Sequence, residues 1–179
     1  MRALVLEEFG RLRVSERPEP VAGPGEVLVR IAVTGICGSD IHGYTGENGR
    51  RHPGQVMGHE CAGRIVALGD GAAGGALRVG QAVTINPVIV PEADAGRYAG
   101  REQHHPHKRV MGVDPTLVSA FAELVAVPSR NVVALAEGTP LEHGALVEPL
   151  AVAVHAVRRV ECGPGDRVLV LGGGPIGQS

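Results

Sequence analysis

Tryptophan is absent from the 179-residue chain, and phenylalanine and tyrosine contribute only two residues each. Large rings cannot organise such a core, so Val, Leu, Ile and Ala have to fill it. Cysteine is scarce too: Cys37, Cys61 and Cys162 are odd in number and far apart, and no secretory leader is recognisable. That usage argues against a disulfide framework and for a reducing cytoplasm. No apolar run approaches the ~20 residues needed to cross a bilayer, so no membrane association is expected. Charge of one sign is also missing, since 17 Lys and Arg stand against 19 Asp and Glu for a net charge of -2. Nothing electrostatic recommends nucleic acid or an anionic surface as partner.

What is abundant is turn material, with 27 Gly and 13 Pro in a chain that is 44% hydrophobic and 20% charged. Strand-like segments recur between the turns at 2–6, 12–15, 26–34, 61–68, 81–85, 121–127 and 131–135. In the third of these Val27, Val29, Ile31 and Val33 fall on one face by the period of two, and Arg30 and Thr34 on the other. So many short strands predict a closed or partly closed β-barrel in preference to a sandwich, because closure removes exposed edges. The stretch 87–114 has no sustained period and predicts a long surface lobe; 71–75 reads as a short Ala/Gly turn.

The pattern changes at Thr139-Pro140-Leu141-Glu142, which predicts a helix with Thr139 as N-cap in a capping box. Pro149 interrupts this helix and opens a second run through Ala151, Val152, Val154, His155 and Val157, apolar enough to predict burial. Gly163-Pro164-Gly165-Asp166 then launches a strand over 167–171. The fold class expected is mainly β with some α: a β-barrel domain over 1–150, then 151–179 as the start of a nucleotide-binding domain that is cut short.

Chemistry concentrates in Cys37-Gly38-Ser39-Asp40-Ile41-His42, Gly58-His59-Glu60 and Glu148-Pro149-Leu150. One thiolate, one imidazole and up to two carboxylates suit a metal that keeps an open position, whereas structural zinc is closed by four, usually sulfur-rich, ligands. Cys37 alone would sooner be a packing residue. Small Gly35 and Gly38 around it and the polar residues after it describe instead a polar site at a strand's end. Gly172-x-Gly174-Pro175-Ile176-Gly177 follows the last expected strand, as a dinucleotide fingerprint requires, although the motif by itself is common. The acidic residue about 20 positions further on does not occur within the chain, so NAD and NADP are not distinguished.

Taken in order, these motifs, with Phe121-Ala122-Glu123 between them, resemble the zinc-dependent medium-chain alcohol dehydrogenases, most closely the polyol (sorbitol-like), butanediol and threonine dehydrogenase branch. The resemblance spans the whole chain. It implies a GroES-like catalytic domain followed by a Rossmann domain, with one catalytic Zn2+ in the cleft between them and NAD or NADP as cofactor in a full-length homo-oligomer. Cys37 and His59 would be zinc ligands, Glu60 a ligand or exchanging partner, and Glu148 the last ligand or a water-holding carboxylate. Ser39 would take the proton of a small-molecule alcohol or polyol, His42 would pass it on, and Asp40 would orient His59. Gly172, Gly174, Pro175, Ile176 and Gly177 would meet the cofactor.

The family often carries a second, structural zinc on four closely spaced cysteines in the lobe; residues 91–106 contain none, so the lobe is expected without its metal. His104, His105 and His107 read as a solvated tip, and Cys61 and Cys162 as packing residues. The competing reading is a free-standing GroES-like module that binds metal or a partner without redox activity; a zinc-free quinone reductase relative would not need Cys37, His59 and Glu148 together. A free-standing module should end after its own last helix, whereas this chain stops inside a phosphate-binding turn, and these residues alone are expected to be inactive.

Overall fold

Alternation of buried and exposed side chains builds the central sheet. In β3 (Glu26–Thr34) Val27 and Val29 are fully buried while Arg30 is exposed. The structure, a computed structural model, describes residues 1–72, 76–160 and 162–179. Most of the expected 71–75 turn therefore lies outside the described residues. The hairpin β1 (Arg2–Glu8) and β2 (Arg11–Glu16) precedes β3, and β4 (Cys61–Leu68), β5 (Ala82–Ile85), β6 (Val88–Ile89), β7 (Arg109–Val110), β8 (Leu124–Pro128) and β9 (Val132–Ala134) follow. Strands β8-β3-β4-β5-β9 form one antiparallel sheet in that order.

Val27 and Val29 of β3, Cys61 and Ile65 of β4, Val83 and Ile85 of β5, and Val125 and Val127 of β8 share a single apolar cluster, with Val132 of β9 packed against it. Five strands can face one cluster only if the sheet curls around it. A second cluster, Ala3, Val5, Leu6, Val56, Met57, Phe121 and Ala122, fixes the β1–β2 hairpin, which bridges to the main body at Ala3–Ala122 and Val5–Val56. Each buried aliphatic side chain contributes about 1.5–3 kcal/mol relative to exposure. Val, Ala, Leu and Ile make up most of both clusters, with Met57, Met111 and Phe121 beside them.

The lobe between β5 and β8 is a two-stranded β6–β7 ladder with the short helix α2 (Ala95–Tyr98) and two single 3-10 turns. One expectation fails here. His104 and His107 are exposed, but His105 is buried at 3%. The His107 backbone N–H donates to its Nδ1 at 3.0 Å, so its other nitrogen carries the hydrogen and donates to Asp94 Oδ2, also at 3.0 Å. Tyr98 meets the ring edge-on at 4.6 Å between centroids. A histidine among solvated neighbours has become the hub of the lobe because it can bond at both nitrogens at once.

Helix α1 (Gly38–Thr45) leaves the end of β3, and α3 (Leu141–Ala145) and α4 (Val147–Arg159) follow β9. The capping box expected at Thr139 does not form. Pro140, with ψ 139°, is itself the N-cap residue, the helix starts at Leu141, and no side chain caps it. The break falls at Leu146, which places Pro149 in the first turn of α4, where its missing N–H goes unused. The expected burial of α4 is also wrong: Ala151, Val152, Val154, His155 and Val157 are all exposed, and only Pro149 and Ala153 are buried. Residues 167–171 form no strand, and Val168, Leu169, Val170 and Leu171 are exposed. A parallel strand needs at least one neighbouring strand and covered faces, and among the described residues the stretch 167–171 has neither. The glycine turn does lead into helix α5 (Pro175–Gln178), with Gly174 as N-cap and Pro175 first in the helix. Among the described residues no helix is long and apolar enough to cross a membrane.

His105→Ala should loosen the lobe selectively, because Asp94 loses its buried donor and the His107 amide its acceptor, a loss of about 1–3 kcal/mol. Hydrogen exchange should rise across 88–110 while amides of β3 and β4 keep their protection. Unchanged exchange in the lobe would remove His105 from that role.

Candidate metal centre

The last step of the β3–β4 ladder pairs Thr34 with Cys61. Just beyond it the Gly35 amide donates to the Glu60 carbonyl at 2.6 Å, and the Glu60 side chain crosses the face of Gly35. A methyl on Gly35 would overlap Glu60 Oε2. Glycine is therefore required here for close approach. Two residues on, Cys37 is the N-cap residue of α1, and its backbone N–H donates to Asp40 Oδ2 at 3.2 Å. His59 follows Gly58, whose φ of 90° and contact with the Phe121 ring exclude a side chain.

These turns bring Cys37, His59 and Glu60 together, with one ligand atom of each lying within 4.8 Å of the others. His59 is buried and the other two are half-buried. Among the described residues no hydrogen bond is spent on the His59 ring or the Glu60 carboxylate, although both are withdrawn from bulk water. Thiolate, imidazole and carboxylate with unspent lone pairs fit a zinc ion of open coordination.

Glu148 stands apart from that triplet. It lies in the first turn of α4, brought near by α3, which packs on β3, β4 and β5. Gly144 in α3 makes this closeness possible, since a side chain there would overlap Leu135 and Ala62. Glu148 senses the cluster electrostatically. Burial pushes its carboxyl above the usual range, Glu60 and Asp40 push the same way, and His59 opposes them. The sequence grouped Glu148 with Cys37, His59 and Glu60; the structure brings it to their edge.

Ser39, Asp40 and His42 lie on α1. Asp40 is buried at 2%, and its Oδ1 stands 3.8 Å from His59 Nδ1. The expected orienting pair faces each other at more than hydrogen-bonding distance. His42 is exposed and its Nδ1 contacts Glu47 Oε2 at 2.9 Å. No hydrogen bond joins it to Ser39 among the described residues, although at i,i+3 the two share a helix face. The sequence reading missed Arg51, which is 3% exposed and reaches both Asp40 and Ser39. No spacing rule announces it, because its partners lie on a helix already completed.

Cys61 adjoins Glu60 in sequence but lies in the core, where burial pushes its thiol up to about 12. Cys162 is half-exposed, against expectation. A cavity of about 880 Å³ lined by Ile31, Ile36, Ile41, Tyr44 and Phe121 also includes Asp40 but none of Cys37, His59, Glu60 or Glu148.

The raised carboxyl of Glu148 carries a sign that can be measured without metal. The folded chain holds this proton to a higher pH than the unfolded chain, so stability falls as pH rises through the interval above the ordinary value of 4.5. Glu148→Gln should melt with the parent at acid pH and above it at neutral pH. Coincident melting curves at both would show that Glu148 is not in the field of the cluster.

Residues 23–137 match the family described as "Alcohol dehydrogenase GroES-like domain". The chain is 36% identical over 177 residues to L-galactonate-5-dehydrogenase of Escherichia coli K12, covering 99% of this chain and 51% of the relative. It is 37% identical over 183 residues to sorbitol dehydrogenase 1 of Saccharomyces cerevisiae, covering 98% and 49%. Among solved structures it superposes with a TM-score of 0.85 on the short chain alcohol dehydrogenase (rspB) of Escherichia coli CFT073 complexed with NADH, at 31% identity over 99% of this chain and 50% of that one. The chain spans about half the length of the curated relatives it matches. The mainly β architecture, the ends of β3 and β4 converging on one polar site and the family match over more than half of the residues agree: the chain belongs to the alcohol dehydrogenase GroES-like domain family.

Proposed function

We propose that this chain is the catalytic domain of a zinc-dependent oxidoreductase that moves hydride from a secondary alcohol or polyol to NAD or NADP, the cofactor being completed by further residues. The observation that carries this reading is the triplet of Cys37, His59 and Glu60 within 4.8 Å. The division into residues 1–150, which hold the metal, and 151–179, which begin the nucleotide-binding part, belongs to the same proposal. Support for it comes from the relatives, which are a galactonate and a sorbitol dehydrogenase, and from the NADH held by the structural neighbour.

A zinc ion bound here supplies Lewis acidity that makes an alcohol hydroxyl acidic enough to lose its proton near neutral pH. Cys37 and His59 would hold the ion, with Glu60 or Glu148 as the further ligand or its exchanging partner. Ser39 takes the proton on Oγ and releases its own towards His42, whose exposed ring and contact with Glu47 suit delivery to bulk water. Glu60 stands by as the alternative base. Gly172, Gly174, Pro175, Ile176 and Gly177 present the N-terminus of α5 to the cofactor pyrophosphate. Because 167–171 stand unpaired, the 179 residues alone bind nicotinamide weakly and do not turn over alcohols. The whole enzyme is read as a cytoplasmic homo-oligomer without nucleic-acid or membrane partners.

The competing reading, a metal-binding or interaction module without redox activity, shares the metal and differs in turnover. Metal analysis of the purified chain should find about one zinc, most of it lost in Cys37→Ala. Two tightly held zinc ions, or full occupancy in that variant, would refute the assignment. In the enzyme that contains this chain, Ser39→Ala should reduce alcohol oxidation by the order of 10²-fold or more with zinc retained. His42→Ala should cost less, since water can replace the outer end of the relay. Near-normal turnover in Ser39→Ala would transfer the base to Glu60 or Glu148.

A further inference from the structure

Arg51 belongs to none of the motifs that carry the proposed function, yet its side chain is as deeply buried as Asp40. Its stem occupies the space that a side chain at Gly43 of α1 would need. A methyl there would overlap Arg51 Cγ and come within 3.3 Å of Cδ and 3.2 Å of Nε. From this slot Nη2 stands 3.5 Å from Asp40 Oδ1 and donates to Ser39 Oγ at 3.4 Å. Asp40 Oδ1 in turn faces His59 Nδ1 at 3.8 Å. Among the described residues, the buried side-chain atoms with no hydrogen-bond partner are Asp40 Oδ1, Arg51 Nε and His59 Nδ1. All three belong to this one row of groups. Buried polar atoms left loose cost stability, so a row of them needs a reason to persist.

We propose that Arg51 is a positioning residue that ties the metal-holding half of the site to its proton-accepting half. The inference rests on the zinc reading above and deepens it. On one side the guanidinium backs the Asp40 carboxylate, whose Oδ1 faces His59 Nδ1 across 3.8 Å; a ring whose Nδ1–H closes that gap has only Nε2 to give a metal. On the other side the guanidinium occupies a lone pair of Ser39 Oγ, so that the hydroxyl hydrogen points away from it, free to move on when a substrate proton arrives. Only Arg can do both, being planar, permanently charged and able to direct several N–H groups at once; Lys offers a single compact charge.

The test uses zinc and cobalt(II) as probes on the whole chain. Arg51→Met should weaken zinc binding by about 10–100-fold in competition with a chromogenic chelator, the usual consequence of removing a group behind a metal ligand. Gly43→Ala should weaken it as well, although every charged group remains, because the added methyl evicts the arginine stem. Arg51→Lys should recover part of the loss. Saturated with cobalt(II), all three variants should keep the thiolate charge-transfer band, since the ligands are untouched. Nitrogen-15 spectra of the zinc-free chain should show His59 as one Nδ1–H tautomer in the parent and a mixture in Arg51→Met. Should Arg51→Met not fold, Arg51→Met with Asp40→Asn removes both buried charges and should show the same loss. Parental affinity and a single tautomer in these variants would overturn the role of Arg51. Failure of the zinc reading looks different: the parent would take up no cobalt(II) with a thiolate band, or Cys37→Ala would bind as the parent does, and the inference would fall with it.

Discussion

The Gly35 amide donates to the Glu60 carbonyl one step past the Thr34–Cys61 pair, and this continuation of the β3–β4 ladder is what the site depends on. It sets the separation between two chain segments that lie far apart in sequence. Cys37 is two residues from one end of this bond and His59 one residue from the other. A register slip of one residue would turn Glu60 to the opposite face of the strand and carry His59 with it. The small residues around the bond have a purpose in that light. Gly35 lets the carboxylate pass, Gly58 turns the chain at a positive φ, and Gly63 admits the Arg30 carbonyl, which a side chain would strike.

The charges gathered there are more than a core tolerates without compensation. Asp40, Glu60 and Glu148 contribute three carboxyl groups near one another, against one buried guanidinium and one imidazole. Replacing such groups by apolar side chains of equal volume is often neutral or stabilising, so stability alone does not account for them. A divalent cation of the kind proposed above would. It would offset the carboxylates and lower the raised Glu148 carboxyl, and it couples binding to the release of protons and to folding.

How far the sequence could be read follows from how local each signal is. Strands β3 and β4 run over the same residues as expected, because period-two alternation is written along the strand itself. The grouping of Cys37, His59 and Glu60 was legible from residue types at chain turns. Arg51 was not, because its meaning comes from a gap left by Gly43 eight positions earlier, and a gap has no signature in sequence. The apolar run in α4 and the stretch 167–171 were misread for a related reason: apolar composition states what a segment would bury but not what lies against it. His105 fails in the other direction, since three neighbouring histidines look solvated until one finds partners at both ring nitrogens. At Thr139 the capping-box pattern lost to the extended ψ of Pro140, which moves the helix start by one residue.

The lobe shows how a segment of this fold can be held together by side chains alone. His105, Asp94 and Tyr98 bond and pack among themselves within 12 residues, so they close the lobe without taking anything from the sheet. A zinc ion in such a place supplies only cohesion, and a neutral histidine with a donor and an acceptor can supply cohesion too. At the ends of β3 and β4 the same exchange is not available. A side chain cannot offer a positive charge with an open coordination position, and among the described residues no hydrogen bond engages the His59 ring or the Glu60 carboxylate. The donor set suited to a metal therefore lies where the strand ends converge, and the contacts that close the lobe do not draw on it.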